Sequence, residues 1–110
     1  MKLPNGSQAV VTDEKLLGYL LNEQHPTQAG HAELFRILLG LGPENAGVLR
    51  TALLDAARTQ DATAGTASAY GSKYEIRFDM TGPRKTYTIL SVWIVEHGKR
   101  EPRLVTAFIE

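Results

Sequence analysis

Cysteine is absent from this 110-residue sequence. Without thiols the chain has no disulfide framework, no thiolate zinc site and no cysteine nucleophile. An excess of charge of one sign is also missing, because 12 Lys and Arg residues balance 12 Asp and Glu residues. No overall positive field therefore attracts nucleic acid or anionic lipid, and such a partner would have to be held by a local patch.

Long hydrophobic runs are absent too. The longest, residues 89–95, covers seven positions and includes a serine, whereas a helix needs about 20 apolar residues to span a bilayer. Residues 1–6 contain a proline and a glycine and no apolar segment of a signal peptide. We therefore expect no membrane association and no secretion signal. A chain of this length predicts one domain over residues 1–110, with about two-thirds of its surface buried.

The N-terminal half carries apolar residues at one-turn spacing, which predicts three amphipathic helices. Thr12 or Asp13 can cap the first, which ends near Asn22. The second covers about residues 29–41, and the third begins at Pro43, where the missing N–H is no loss. The expected inward stripes of the three helices are Leu16, Leu17, Leu20 and Leu21, then Leu34, Phe35, Leu38, Leu39 and Leu41, then Val48, Leu49, Ala52, Leu53 and Ala56.

After Gly71 the hydrophobic period changes to two, which is the pattern of strands. Residues 73–80 alternate apolar and charged side chains, as a half-exposed strand requires. Thr86–Glu96 is β-branched and apolar enough for a central strand, Arg103–Ile109 is the last strand, and residues 61–69 form a loop or a weak edge strand. The sequence therefore predicts an α+β fold, with N-terminal helices packed on one face of a C-terminal antiparallel β-sheet.

The charged residues of the 73–80 strand are expected to point away from the helices, to an open face. Arg77 would lie on this face with neighbouring threonines, and Arg84, Lys85 and Arg103 would lie near the ends of the same strands. Such residues could form a local cationic surface with hydroxyl groups. The alternative is that the alternating charges only solvate the face and pair across it, which is ordinary sheet chemistry.

Two of the three histidines lie close together in the sequence. His25 is in the loop before the second helix, since Pro26 favours extended dihedrals before it, and His31 falls in the first turn of that helix. Such a pair can supply the base and the acid of a proton transfer at neutral pH, and the first turn of a helix has free N–H groups that bind phosphate. Alternatively, both are solvent-facing polar residues. Their spacing matches no standard metal site, so we predict neither a metal nor another cofactor.

The aromatic residues are few, and most are expected in the core. Tyr70 and Tyr74 flank Gly71, where each hydroxyl either donates to a phosphate or caps the core, and the core is favoured. Trp93, the only tryptophan, is expected to be the main core aromatic. No glycine-rich phosphate loop, nucleophile elbow or carboxylate pair at catalytic spacing is present, which excludes several common enzyme classes.

Several short motifs follow one another along the chain: Asn22-Glu23-Gln24-His25-Pro26, His31-Ala32-x-x-Phe35, Leu39-Gly40, Tyr70-Gly71-x-x-Tyr74, Gly82-Pro83, Trp93 and Pro102-Arg103-Leu104-Val105-Thr106. Their order resembles a small bacterial domain family of unassigned function, over nearly the whole chain. Members of that family occur as stand-alone proteins and at the C-termini of large secreted proteins of the polymorphic or contact-dependent toxin type. They more often have Lys at the position of His31.

The order of helices before sheet is also similar to the superfold of barnase and the colicin ribonucleases, which cleave RNA without metal. This resemblance implies a transesterification, in which a base takes the 2′-hydroxyl proton, an acid protonates the leaving 5′-oxygen and cations stabilise the phosphate. The implied roles are general base or acid for His25, its partner or a phosphate binder for His31, an electrostatic clamp for Arg77 and Arg103, hydroxyl donation for Tyr74 and Thr106, and further RNA contacts for Arg84 and Lys85.

Two function hypotheses remain open. The first is a metal-independent endoribonuclease toxin domain that acts on RNA, transfer RNA included. It would work in the bacterial cytosol, where it is made or delivered, and a tight-binding immunity protein would neutralise it. The second is a non-catalytic module that docks a protein partner through the open sheet face or an edge strand. An RNA-cleavage assay in EDTA, with His25→Ala and His31→Ala as comparisons, separates them.

Overall fold

Helices form the first half of the chain because its leucines recur about once per helical turn. The computed structural model describes residues 1–110. The first helix, α1, is α-helical over Asp13–Lys15 and continues as a π-helix over Leu16–Leu20, with the Thr12 side chain as its N-cap. The wider π-helical turn rotates Leu17 towards solvent. Leu17 is 43 % exposed, so its expected burial is wrong, whereas the other three leucines of the stripe are buried.

The second and third helices, α2 and α3, cover Ala29–Leu39 and Ala46–Thr59, and a 3₁₀ turn at Pro43–Asn45 precedes α3. Their inward stripes are narrower than predicted, because each helix packs on one side only and its outer face meets solvent. Leu34 and Val48 are therefore 39 % and 54 % exposed rather than buried. The buried residues of the two helices are Ala32, Phe35, Leu39, Ala46, Leu49, Leu53, Ala56 and Ala57.

Four antiparallel strands form the sheet in the order β1-β2-β3-β4. Their bounds are Thr63–Ala67, Gly71–Thr81, Thr86–Glu96 and Arg103–Ile109. The central position of β3 and the bounds of β3 and β4 are as predicted. All residues of β1 are exposed and it pairs only with β2, so the segment is an edge strand rather than a loop.

The core lies between the helices and one face of the sheet. Trp93 is fully buried, as predicted; its Nε1–H donates to Ser91 Oγ at 3.0 Å, and that hydroxyl donates to the Ile76 carbonyl at 2.9 Å. Tyr74 packs half-buried against the core, as expected, but Tyr70 is 77 % exposed because it lies in the turn between β1 and β2. The predicted α+β fold, with helices on one face of the sheet, is confirmed.

The N-terminal arm fixes the beginning of β4. Asn5 has a left-handed backbone conformation, with φ 53°, before a 3₁₀ turn at Gly6–Gln8. Val10 then lies parallel to Arg103, and its N–H donates to the Pro102 carbonyl at 2.9 Å. The arm therefore covers the outer edge of β4 at its first residues. No helix of the structure combines the length and the apolar character that a membrane span needs.

Candidate nucleic-acid interface

A β-bulge in β4 determines which side chains reach the helix-free face of the sheet. Residues 104 and 106 pair with consecutive residues of β3, which leaves Val105 without a partner of its own. The extra residue shifts the alternation of side chains along the strand. As a result Arg103, Thr106 and Phe108 lie on the same, helix-free face. Two of the predicted RNA-binding residues, Arg103 and Thr106, are thus brought into one line.

Lys15 of α1 lies close to Arg103 and has no carboxylate partner. Its Nζ is 4.4 Å from the centre of the Tyr19 ring, one helical turn further along. Partial burial, and secondly the charge of Arg103, lower the pKa of Lys15. Arg103 has a single partner, since its Nη2 is 3.2 Å from Glu96 Oε1. Of the two cations only Arg103 has a carboxylate partner, which leaves a local excess of positive charge.

His25 adjoins this pair of cations through the ring of Tyr19. The two rings meet edge to face, with centres 4.9 Å apart. The Nδ1 atom of His25 accepts the N–H groups of Thr27 and Gln28, each at 3.2 Å, so the imidazole caps the start of α2. An acceptor at Nδ1 places the proton of the neutral ring on Nε2. Nε2–H is therefore the group left to donate a hydrogen bond to a ligand.

His31 is exposed in the first turn of α2, as predicted, and rests against β4 rather than against His25. The centres of the His31 and Phe108 rings are 5.2 Å apart, with a tilt of 39° between the planes. His31 thus joins the line of side chains on β4. We call this line the β4 strip; it consists of Lys15, Arg103, Thr106, Phe108 and His31.

Arg77 lies on the helix-free face as predicted, but carboxylates surround it. Its Nε and Nη2 are 2.8 and 3.3 Å from the two oxygens of Glu110, and Nη1 is 3.8 Å from Glu75. The hydrogen bond and the charge of Glu110 raise the pKa of Arg77. On β2 the charges therefore pair across the face, which matches the alternative expectation, and Arg77 is separated from the β4 strip by β3.

Three other predicted site residues lie outside the β4 strip. Tyr74 faces the helices, on the side of the sheet opposite to the strip. Arg84 and Lys85 are exposed in the turn between β2 and β3, and Lys85 Nζ lies 5.1 Å from the centre of the Tyr87 ring. This turn is at the end of the sheet far from Arg103, because Ile109 at the end of β4 pairs near the start of β3. No group of three His, Asp and Glu side chains is placed to hold a metal ion.

Sequence reasoning missed Lys15, Tyr19 and Phe108. Lys15 and Tyr19 are four residues apart on one face of α1, a spacing at which side chains meet. The prediction of this helix uses only its leucines and does not consider this pair. Phe108 lies in a predicted strand. Strict alternation of side chains along that strand determines the sheet face on which Phe108 is expected. The bulge at Val105 changes that assignment and has no local signal in the sequence.

The fold defines a class: an α+β domain whose antiparallel meander carries its polar side chains on the face away from the helices. A family model described as Domain of unknown function (DUF6883) matches residues 2–110. The chain belongs to this family. No curated protein and no solved structure matches the chain. Membership of an uncharacterised domain family is therefore confirmed, while the association with toxins and the ribonuclease-like superfold remain predictions.

Proposed function

We propose that this domain is a metal-independent endoribonuclease. One observation carries the proposal: Lys15 has no carboxylate partner beside Arg103, and Tyr19 connects this pair of cations to His25. Like charges held together raise the free energy of the folded chain, and a bound phosphate lowers it again. An imidazole N–H group and two cations beside a phosphate can stabilise the charge that develops during RNA transesterification.

The proposed reaction uses the groups at the start of the β4 strip. His25 Nε2–H donates a hydrogen bond to the oxygen of a 2′-hydroxyl, which releases its proton to water and attacks the adjacent phosphorus. The bond from phosphorus to the 5′-oxygen breaks, and Lys15 gives its proton to that leaving oxygen, which its lowered pKa favours. Arg103 stabilises the charge that develops on the phosphoryl oxygens. The products are a 2′,3′-cyclic phosphate and a 5′-hydroxyl.

Toxicity and neutralisation follow from this activity. An endoribonuclease without a metal requirement is active in the bacterial cytosol, transfer RNA being among the substrates we propose. A host of such an enzyme needs a tight-binding immunity protein, and we propose that this protein covers the β4 strip. Expression of the domain alone should therefore arrest growth, while expression of the His25→Asn variant should not.

The decisive experiment compares RNA cleavage in EDTA by the parent and by His25→Asn. The asparagine oxygen can accept the N–H groups of Thr27 and Gln28, as His25 Nδ1 does, so the cap on α2 is kept. The shorter asparagine cannot place an N–H group where His25 Nε2–H lies, so we expect cleavage to fall at least about 100-fold with little change in Tm.

The matched control is His97→Asn. His97 lies in the turn between β3 and β4, where its Nε2 is 3.2 Å from the Ser68 carbonyl, and it has no part in the proposed reaction. This variant should cleave like the parent. No cleavage by the parent, or equal cleavage by His25→Asn, would disprove the endoribonuclease.

The open edge of β2 favours a second candidate function, the docking of an extended peptide. β1 pairs with β2 only as far as Glu75. The Glu110 N–H donates to the Thr88 carbonyl at 3.0 Å, so the even-numbered residues of β3 form their backbone hydrogen bonds with β4 and the odd-numbered ones with β2. In β2 the partners of the odd-numbered β3 residues are even-numbered. The backbone N–H and carbonyl groups of Arg77 and Asp79 therefore point away from β3, towards the open edge. They border a cleft of 470 Å³ beside α3. Absence of RNA cleavage, together with chemical-shift changes at these two residues when a peptide is added, would support this function instead.

A further inference from the structure

We infer that the ring pair of His31 and Phe108 binds an unstacked nucleobase, so that the substrate is single-stranded RNA. The inference rests on the proposed function, because it names the substrate class of the same β4 strip. It starts from the position of Phe108, which differs from that of the other phenylalanines. Phe35 and Phe78 are 0 % and 8 % exposed in the core cluster, whereas Phe108 is only half-buried and lies outside that cluster.

The side chain of Phe108 remains partly accessible to solvent. Phe108 pairs with Leu90 on the helix-free face, and its one aromatic neighbour is the exposed ring of His31 from the first turn of α2. Aromatic rings at an open sheet face are the surfaces on which proteins stack bases of single strands. A duplex offers no such base, because its base faces are already stacked. The geometry therefore selects unpaired RNA.

The distance along β4 determines which nucleotide would be read. Arg103 and Phe108 are five residues apart with one bulge between them, which corresponds to about 13 Å at the ordinary rise of a strand. Stacked nucleotides are separated by only about 3.4 Å. A phosphate held at Arg103 and a base held at Phe108 therefore belong to different nucleotides. The ring pair would bind the base of a nucleotide near the cleaved position. Thr106 lies between Arg103 and Phe108 on the same face.

The test measures binding separately from cleavage, with all RNA-binding variants made on the His25→Asn background. Fluorescence anisotropy follows a labelled single-stranded oligoribonucleotide and a set of oligonucleotides that each lack one base. We expect one abasic position to weaken binding about 10-fold, as loss of a stacked base does. Phe108→Leu keeps an apolar side chain over Leu90 but removes the aromatic face, so it should weaken binding of the intact RNA about 10-fold and make the abasic scan flat.

Tyr70→Leu is the matched control, because Tyr70 is the most exposed aromatic residue and lies in the turn between β1 and β2, which β3 separates from β4. It should bind RNA like its background. The proposed base-binding site would be overturned if no abasic position weakened binding to the protein with Phe108 present. It would also be overturned if Phe108→Leu bound the intact RNA as tightly as its background. Cleavage by the parent that His25→Asn abolishes would still support the endoribonuclease, so the two proposals fail independently. Absence of any RNA binding and cleavage would overturn both.

Discussion

Lys15 destabilises the folded chain as a charged group, because partial burial and the nearby Arg103 both disfavour its cation. Its pKa is therefore lower in the folded chain than in the unfolded chain. Between the two pKa values the unfolded chain binds more protons, so stability rises with pH in this range. The penalty is complete below the folded pKa and disappears as the pH rises to the unfolded value of about 10.4. A penalty of this kind is typical of a residue that function requires.

Replacement of Lys15 by Met should remove this penalty. Methionine keeps an apolar stem beside Tyr19 and has no charge, so we expect Lys15→Met to raise Tm by about 2–4 °C at pH 7, or roughly 0.5 kcal/mol after solvent screening. The gain should shrink towards pH 10. Inorganic pyrophosphate should stabilise the parent but not the variant. Thermal denaturation at both pH values measures these effects, and a lower Tm for the variant at pH 7 would contradict them.

The sequence predicts the position of a single residue better than its contacts. Pro26 places His25 in a loop through its effect on the backbone dihedrals of the preceding residue, which is a local effect. The use of His25 Nδ1 as a cap depends on the exact turn that follows. Whether Lys15 is paired depends on Arg103 and Glu96, which lie far away in the sequence. Local patterns therefore predict where a side chain lies, but not which charge it meets.

The contact between α2 and the turn after β2 depends on Gly82. A Cβ at Gly82 would lie 2.3 Å from the carbonyl oxygen of Leu38, near the end of α2. We expect Gly82→Ala to push the two elements apart and to lower the free energy of unfolding by about 2–3 kcal/mol. Gly47→Ala in α3 is the control, because a Cβ there meets nothing within 4 Å, and it should be neutral or stabilising by up to about 1 kcal/mol. Equal urea midpoints for the two variants would refute this contact.

The bounds of helices and strands with a regular hydrophobic period are predicted well from the sequence. Local irregularities that interrupt this period are not predicted. The bounds of β3 and β4 agree with the sequence because dense β-branched runs end at turn residues. The helical stripes are predicted too wide, as Leu34 and Val48 show, since spacing does not reveal how many sides of a helix are covered. The π-helical segment Leu16–Leu20 and the bulge at Val105 each add a residue to a repeat. The bulge is the feature that aligns the β4 strip.

At the scale of the whole molecule, balanced charge conceals an uneven distribution. On β2 the cation of Arg77 is surrounded by Glu110 and Glu75, so that part of the face is neutralised. At the start of β4, Arg103 has one carboxylate partner and the nearby Lys15 has none. Composition predicts that only a local cationic patch could bind an anion. In the structure the local excess of positive charge lies in the β4 strip. The predicted cationic surface is therefore smaller than the sequence suggests and displaced towards α1.

This distribution predicts a weak salt dependence of RNA binding. Contacts from Lys15 and Arg103 to about two phosphates of a single strand give a slope of about −1.4 for the logarithm of affinity against that of salt concentration, or about 7-fold between 50 and 200 mM salt. Lys15→Met should reduce the slope by about half. Arg77→Gln should leave it unchanged, because Glu110 already neutralises that guanidinium. Anisotropy titrations on the His25→Asn background measure the slopes, and a slope that falls in Arg77→Gln but not in Lys15→Met would place the phosphates on β2 instead.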